Sequence, residues 1–127
     1  MKITDDQIDQ DALAKIGAEA NDLIRAGNIR ALVERFGYAL AFGRDPVAAV
    51  EADLATSRSR IAAEPAAKDC PCQDVVVRYF EPNSANLFAV IECSALVENC
   101  AAVRMDLIVT SAKGERYVYL EDIFATA

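Results

Sequence analysis

Apolar side chains recur at every third or fourth position from Ile8: Ile8, Ala12, Leu13, Ile16, Ala20, Leu23 and Ile24 form one stripe that stops at Gly27. This spacing predicts a first helix over 5–26. Thr4 and Gln7 stand in capping-box spacing at its start, and Asp5, Asp6 and Asp9 lie against the positive end of its dipole. Asn28 is placed to cap a second helix that buries Ile29, Leu32, Val33 and Phe36, and whose continuation over 37–42 is almost wholly apolar. Gly43-Arg44-Asp45-Pro46 then combines a helix-ending glycine, a capping aspartate and a proline in the first helical position. A third helix places Val47, Val50, Leu54 and Ile61 near one face and ends around Ala63 to Pro65, before a loop from Ala66 to Gln73.

Beyond that loop the period falls to two, and the apolar residues become β-branched or aromatic. Strands are predicted over about 74–81, 87–97, 101–111 and 115–125, with turns at Pro82-Asn83-Ser84, Glu98-Asn99-Cys100 and Ala112-Lys113-Gly114. Short connections imply an antiparallel meander, and helices grouped before a meander imply an α+β domain with three helices covering one face of a four-stranded sheet. The 127 residues suit one such domain, helical over 1–65 and extended over 74–126.

Alternation sorts the strand residues into two faces. One set is nearly unbroken in its apolar character: Val75, Val77, Tyr79; Leu87, Ala89, Ile91, Cys93; Val103, Met105, Leu107, Val109; Val118, Leu120 and Phe124. It belongs against the helices. The other set mixes charge with bulk: Val76, Arg78, Phe80, Phe88, Val90, Glu92, Arg104, Asp106, Ile108, Tyr117, Tyr119, Glu121 and Ile123. A solvated face with cross-strand ion pairs accounts for the charges. The aromatics and large aliphatics among them have the mixed composition of a protein interface.

Charge narrows the partners. Thirteen basic residues against 20 acidic ones leave a net charge of −7, which repels nucleic acid and anionic lipid and favours a basic protein partner. No stretch approaches the roughly 18 to 20 apolar residues of a membrane span, and Met1 to Asp6 has neither the apolar run of a secretory signal nor the arginines of a mitochondrial one. The expectation is a cytoplasmic protein. The chain has no histidine, which removes the commonest general base, Ser-His and Cys-His pairs, and imidazole ligation of metals.

What remains for chemistry is sparse. Cys70, Cys72, Cys93 and Cys100 suffice in number for tetrahedral zinc, but one pair is C-x-C and the other has six residues between its members, which is not knuckle spacing, and Cys93 falls on the apolar face. No metal or cofactor is expected. The two-glycine segment 37–46 lacks the lysine and hydroxyl of a phosphate loop. Asp122 shares phase with Val118, Leu120 and Phe124, so an inward carboxylate is conceivable there, with Tyr38 or Tyr79 supplying hydroxyls; a strand-end carboxylate in water explains it as well.

Three helices before a meander, with an apolar helix junction at 37–42, resemble the nuclear transport factor 2-like superfamily, although no strand is evident between the second and third helices. The resemblance implies a curved, cone-like sheet wrapped around a helix-lined cavity. Its enzymatic members use a histidine–aspartate pair, impossible here, or an inward aspartate with tyrosines, which maps onto Asp122. Its small acidic members include bacterial immunity proteins, which bind and neutralise a toxin domain. The expected function is therefore a noncatalytic protein-binding domain of the immunity type, acting on a basic toxin or pairing with itself. Phe88, Glu92, Arg104, Asp106, Tyr117, Tyr119 and Glu121 are its expected contact residues. The alternative is a small-molecule binder or isomerase-like enzyme with a cavity between helices and sheet.

Overall fold

The computed structural model describes residues 2–38, 43–62, 74–96, 102–112 and 114–125. The expected apolar continuation over 39–42, the loop with Cys70 and Cys72, and the turn with Cys100 lie outside the described residues. Three helices, α1 (Gln10–Arg25), α2 (Ile29–Phe36) and α3 (Pro46–Ala62), precede four long strands, β2 (Asp74–Tyr79), β3 (Leu87–Leu96), β4 (Ala102–Ala112) and β5 (Glu115–Ala125). A fifth strand was not anticipated. It is β1 (Lys2–Ile3), which pairs antiparallel with Tyr117 and Arg116 and gives a sheet in the order β1-β5-β4-β3-β2. Two residues carry no readable alternation.

Local chemistry accounts for the helix ends. The Thr4–Gln7 pair opens a short 3-10 turn over Asp5–Gln7 instead of the helix proper, with the Gln7 side chain accepting from the Thr4 backbone N–H at 3.1 Å. The helix itself starts at Asp9, whose carboxylate accepts from the Ala12 N–H at 2.7 Å. It closes at Gly27, where φ is +74° and the Asn28 N–H reaches back to the Leu23 carbonyl. Asn28 caps α2 through the Ala31 N–H, and Asp45 caps α3 through the Ala48 N–H. α2 stops at Phe36 because Gly37 takes φ +72°, a left-handed value.

All three helices lie on one side of the sheet. α1 rests on β3 and β2, α3 on β5 and β4, and α2 fits between the other two helices and β5. The core joins Leu13, Ile16, Ala20 and Ile24 of α1, Leu32 and Phe36 of α2, and Val50 and Leu54 of α3 to Ala89, Ile91, Cys93, Val103, Met105, Leu107, Val109, Val118 and Leu120 of the sheet. α1 comes close to the strands at Gly17: a Cβ there would lie 2.7 Å from methyls of both Ile91 and Val75.

Two bulges break the strict alternation. On β3, Leu87 opposes Thr110 and Ala89 opposes Val109, so Phe88 is an extra residue; on β5, Leu120 opposes Leu107 and Asp122 opposes Asp106, so Glu121 is extra. Each extra residue shifts the phase of its neighbours. Phe88 accordingly packs against the core from the helix side, and Ile123, opposite Met105, is buried. Leu87 and Asp122 move to the other face, where Thr110 and Asp106 lie. These four positions, with Phe124 at the register position opposite Arg104, correct the expected face assignment. Tyr79 departs for a different reason: it keeps the inward phase but lies at the end of edge strand β2, 48% exposed, where its hydroxyl donates to the Ile8 carbonyl at 2.8 Å.

Candidate protein-docking face

With the helices on one side, the opposite face of the sheet is open among the described residues. Cross-strand register arranges it in rows. Arg78, Val90, Ile108 and Tyr119 form one row across β2, β3, β4 and β5; Val76, Glu92, Asp106 and Asp122 form the next. Lys2, Tyr117 and Thr110 continue the face toward the start of β5. Tyr119 is 39% exposed, and its ring stacks on Tyr117 with centroids 6.3 Å apart. Val90 and Ile108 are half-buried beside it, and Val76 is exposed.

The charges on this face satisfy one another in a chain. Glu92 receives Arg78 at 3.1 Å and Arg104 at 2.6 Å, and Arg104 also donates to Asp106 at 3.0 Å. Two cations and two carboxylates thus cancel, and each guanidinium is held in one orientation by its acceptor. At the start of β5, Lys2 pairs with Glu115 at 2.8 Å, and the Tyr117 hydroxyl donates to the other oxygen of the same carboxylate. The carboxylate therefore holds Tyr117 in place beside Tyr119.

Of the expected contact residues, Glu92, Arg104, Asp106, Tyr117 and Tyr119 share this face. Glu121 is exposed at the β5 bulge, on the margin of the sheet. Phe88 does not join them. Its ring sits on the helix side, edge-on to Tyr79 at 5.6 Å and under the Arg116 guanidinium at 4.7 Å.

Asp122 stands opposite Asp106, a like-charge pairing that costs energy. One of its oxygens accepts the Ile123 N–H at 2.8 Å, and among the described residues no cation pairs with it. Burial, with the nearby Asp106 and Asp53 carboxylates, raises its carboxyl above the usual aspartate range.

The alternative reading required Asp122 to face inward with a tyrosine. Register removes it from the inner phase, but a second polar group lies within reach of its field. The hydroxyl of Tyr38, a buried residue, donates to Asp53 at 2.5 Å, and Arg44 reaches the same oxygen at 3.4 Å. The bond from Tyr38 and the Arg44 charge lower the Asp53 carboxyl, while burial and the bond to Asp53 raise the Tyr38 phenol. This arrangement joins the helix junction to α3 and gives a buried phenol an acceptor. Asp53 was overlooked in the sequence, although it stands in the α3 stripe with Val50, Leu54 and the buried Ser57, a place where a carboxylate needs a partner. Tyr79 lies at the other end of the sheet from Asp122.

Cys93 is fully buried, and loss of solvation pushes its thiol up to about 12, so it is an inert core residue. Among the described residues no group of three or more His, Cys, Asp or Glu side chains is placed to hold a metal ion, and no helix is long and apolar enough to cross a membrane. Comparison of the chain with protein-family models, curated proteins and solved structures finds no match in any of the three.

Proposed function

We propose that this chain is a noncatalytic, cytoplasmic protein-binding domain of the nuclear transport factor 2-like architecture, and that it works as an immunity protein, neutralising a basic bacterial toxin by direct binding. The observation that carries this reading is the open sheet face, on which the stacked Tyr117 and Tyr119 adjoin Val90, Ile108 and a fixed charge array. Aromatics supply interface energy at low entropic cost because they have few rotatable bonds, and they dominate affinity where surrounding contacts exclude water. The charge of −7 supports a basic partner by accelerating encounter.

Within this reading the acids differ in role. Glu92 and Asp106 are already held by Arg78 and Arg104, so they orient the face and keep its guanidiniums from straying. Glu121 and Asp122, at the β5 margin, are the carboxylates that a partner's lysine or arginine meets first. Such a cation would also relieve the opposition between Asp122 and Asp106.

The assignment requires a toxin gene beside the one for this chain, and affinity for that gene's product, measured by calorimetry, tests it. Tyr119→Ala and Glu121→Lys are each expected to weaken binding by about tenfold or more, equivalent to about 1.4 kcal/mol. Unchanged affinity in both variants refutes the placement.

A further inference from the structure

We propose that the partner of this face seats one arginine at its β5 end, with the guanidinium bridging Asp122 and Asp106 and the stem lying along Tyr119 and Ile108. The inference rests on reading the face as a docking surface for a basic protein, and it names the side chain by which that protein is recognised.

Negative charge on the face is left over at one place. Glu92 is held by Arg78 and Arg104, Asp106 by Arg104, and Glu115 by Lys2. Asp122 continues the row of Glu92 and Asp106, yet among the described residues no cation reaches it. A carboxylate directly across the ladder from another costs energy, and an incoming cation turns that cost into attraction. A neutral or acidic partner has no such complement to offer.

The surroundings of the pair fit a guanidinium better than an ammonium. The bulge at Glu121 sets Asp122 opposite Asp106 and one row from Tyr119 and Ile108. One oxygen of each carboxylate is taken: Asp106 accepts from Arg104 at 3.0 Å and Asp122 from the Ile123 N–H at 2.8 Å. The other oxygens have no bond among the described residues. Side chains directly opposed across a ladder start about 4.5–5.5 Å apart, so a planar fork of five N–H donors can reach one oxygen on each, whereas an ammonium acts as a point charge. The exposed Tyr119 ring, stacked on Tyr117, lies beside the pair, and an arginine attracted to it covers Ile108 with its methylenes.

Docking of that arginine is linked to a proton. Burial, then Asp106 and Asp53, hold the Asp122 carboxyl above the ordinary range against the lowering effect of the Ile123 N–H. The charged and titratable groups around it are Asp106 with Arg104 on β4, Glu121 on its own strand, and Asp53 of α3 with its partners Tyr38 and Arg44. A cation between Asp122 and Asp106 favours the ionised form, so binding expels a proton. Affinity therefore rises with pH through the raised titration and levels off above it.

Carboxyl carbon NMR shifts of the full chain, titrated in parallel with N-acetyl-argininamide and N-acetyl-lysinamide at millimolar concentrations, test the proposal. The arginine probe is expected to shift Asp122 and Asp106 together, to bind about threefold or more tighter than the lysine probe, and to move the Asp122 titration to lower pH. Asp122→Asn should abolish the preference for arginine, and Tyr119→Leu, which keeps the bulk and removes the ring, should reduce it. Equal affinity for the two probes overturns the proposal, as do shifts confined to other carboxylates or a preference that survives Asp122→Asn. A neighbouring toxin bound equally by the parent and Asp122→Asn removes this site and leaves the immunity reading. The arginine response in a chain with no toxin gene beside it removes the immunity reading and leaves the site.

Discussion

Asp122 illustrates how one residue's environment follows from register. It sits opposite Asp106, within the field of Asp53, and its carboxyl is raised by burial and by both of those charges. A folded-state pKa above the unfolded value means that ionisation opposes folding at pH 7. The penalty is fully present above the folded pKa and disappears as pH falls through it toward the unfolded value. Asp122→Asn keeps the oxygen that accepts from Ile123 and removes the charge. The variant is expected to melt higher than the parent at pH 7, by at most about 1 kcal/mol given the carboxyl's partial exposure, and the difference should vanish below about pH 4. Asp53 responds in the opposite sense: its lowered carboxyl, held first by the Tyr38 hydroxyl and then by Arg44, adds stability above the ordinary aspartate pKa. That contribution is lost as pH falls through its folded value. Thermal melts of parent and variant from pH 3 to 8 check the sign.

At the scale of elements, the closest approach in the fold is α1 against the sheet at Gly17. A methyl there meets Ile91 and Val75 at 2.7 Å and the Cys93 sulfur at 3.1 Å. Both hydrocarbon neighbours are β-branched and stiff. Gly17→Ala gains up to about 1 kcal/mol of helix propensity, but overpacking costs about 1–3 kcal/mol, so the collision decides the outcome. A net loss of about 1–2 kcal/mol is expected, lowering the melting temperature by roughly 4–8 °C in a scanning experiment. The long elements were legible because their periods are long enough to count: the α1 stripe, the Gly43–Pro46 restart and the four strands of the meander lie close to where alternation and capping residues place them. β1 was illegible because two residues have no period. The bulges were illegible because a count by twos assumes an uninterrupted ladder. One extra residue on β3 therefore put Phe88 on the wrong face, and one on β5 did the same to Asp122 and Ile123. The part of the candidate face built from unbulged ladder, Glu92, Arg104, Asp106, Tyr117 and Tyr119, was readable for the same reason that the rest was not.

For the molecule as a whole, net charge and local pairing act against each other in salt. Exposed pairs such as Lys2–Glu115 and Arg25–Asp22 contribute little singly. The excess of seven negative charges repels throughout the fold. The melting temperature is therefore expected to rise by a few degrees between about 10 and 150 mM salt, since screening relieves more repulsion than it removes attraction. A falling melting temperature would assign the balance to the paired groups.

The extra residue at Glu121 has a further consequence. Any descendant of this chain that loses that single codon would regain strict alternation without turning a neighbour over, since Leu120 would still oppose Leu107, Asp122 Asp106 and Ile123 Met105. Such a deletion needs no swap of polar and greasy letters across the remainder of the strand. Length at this one position should thus drift independently of hydropathy, whereas a one-residue change elsewhere in the ladder should not.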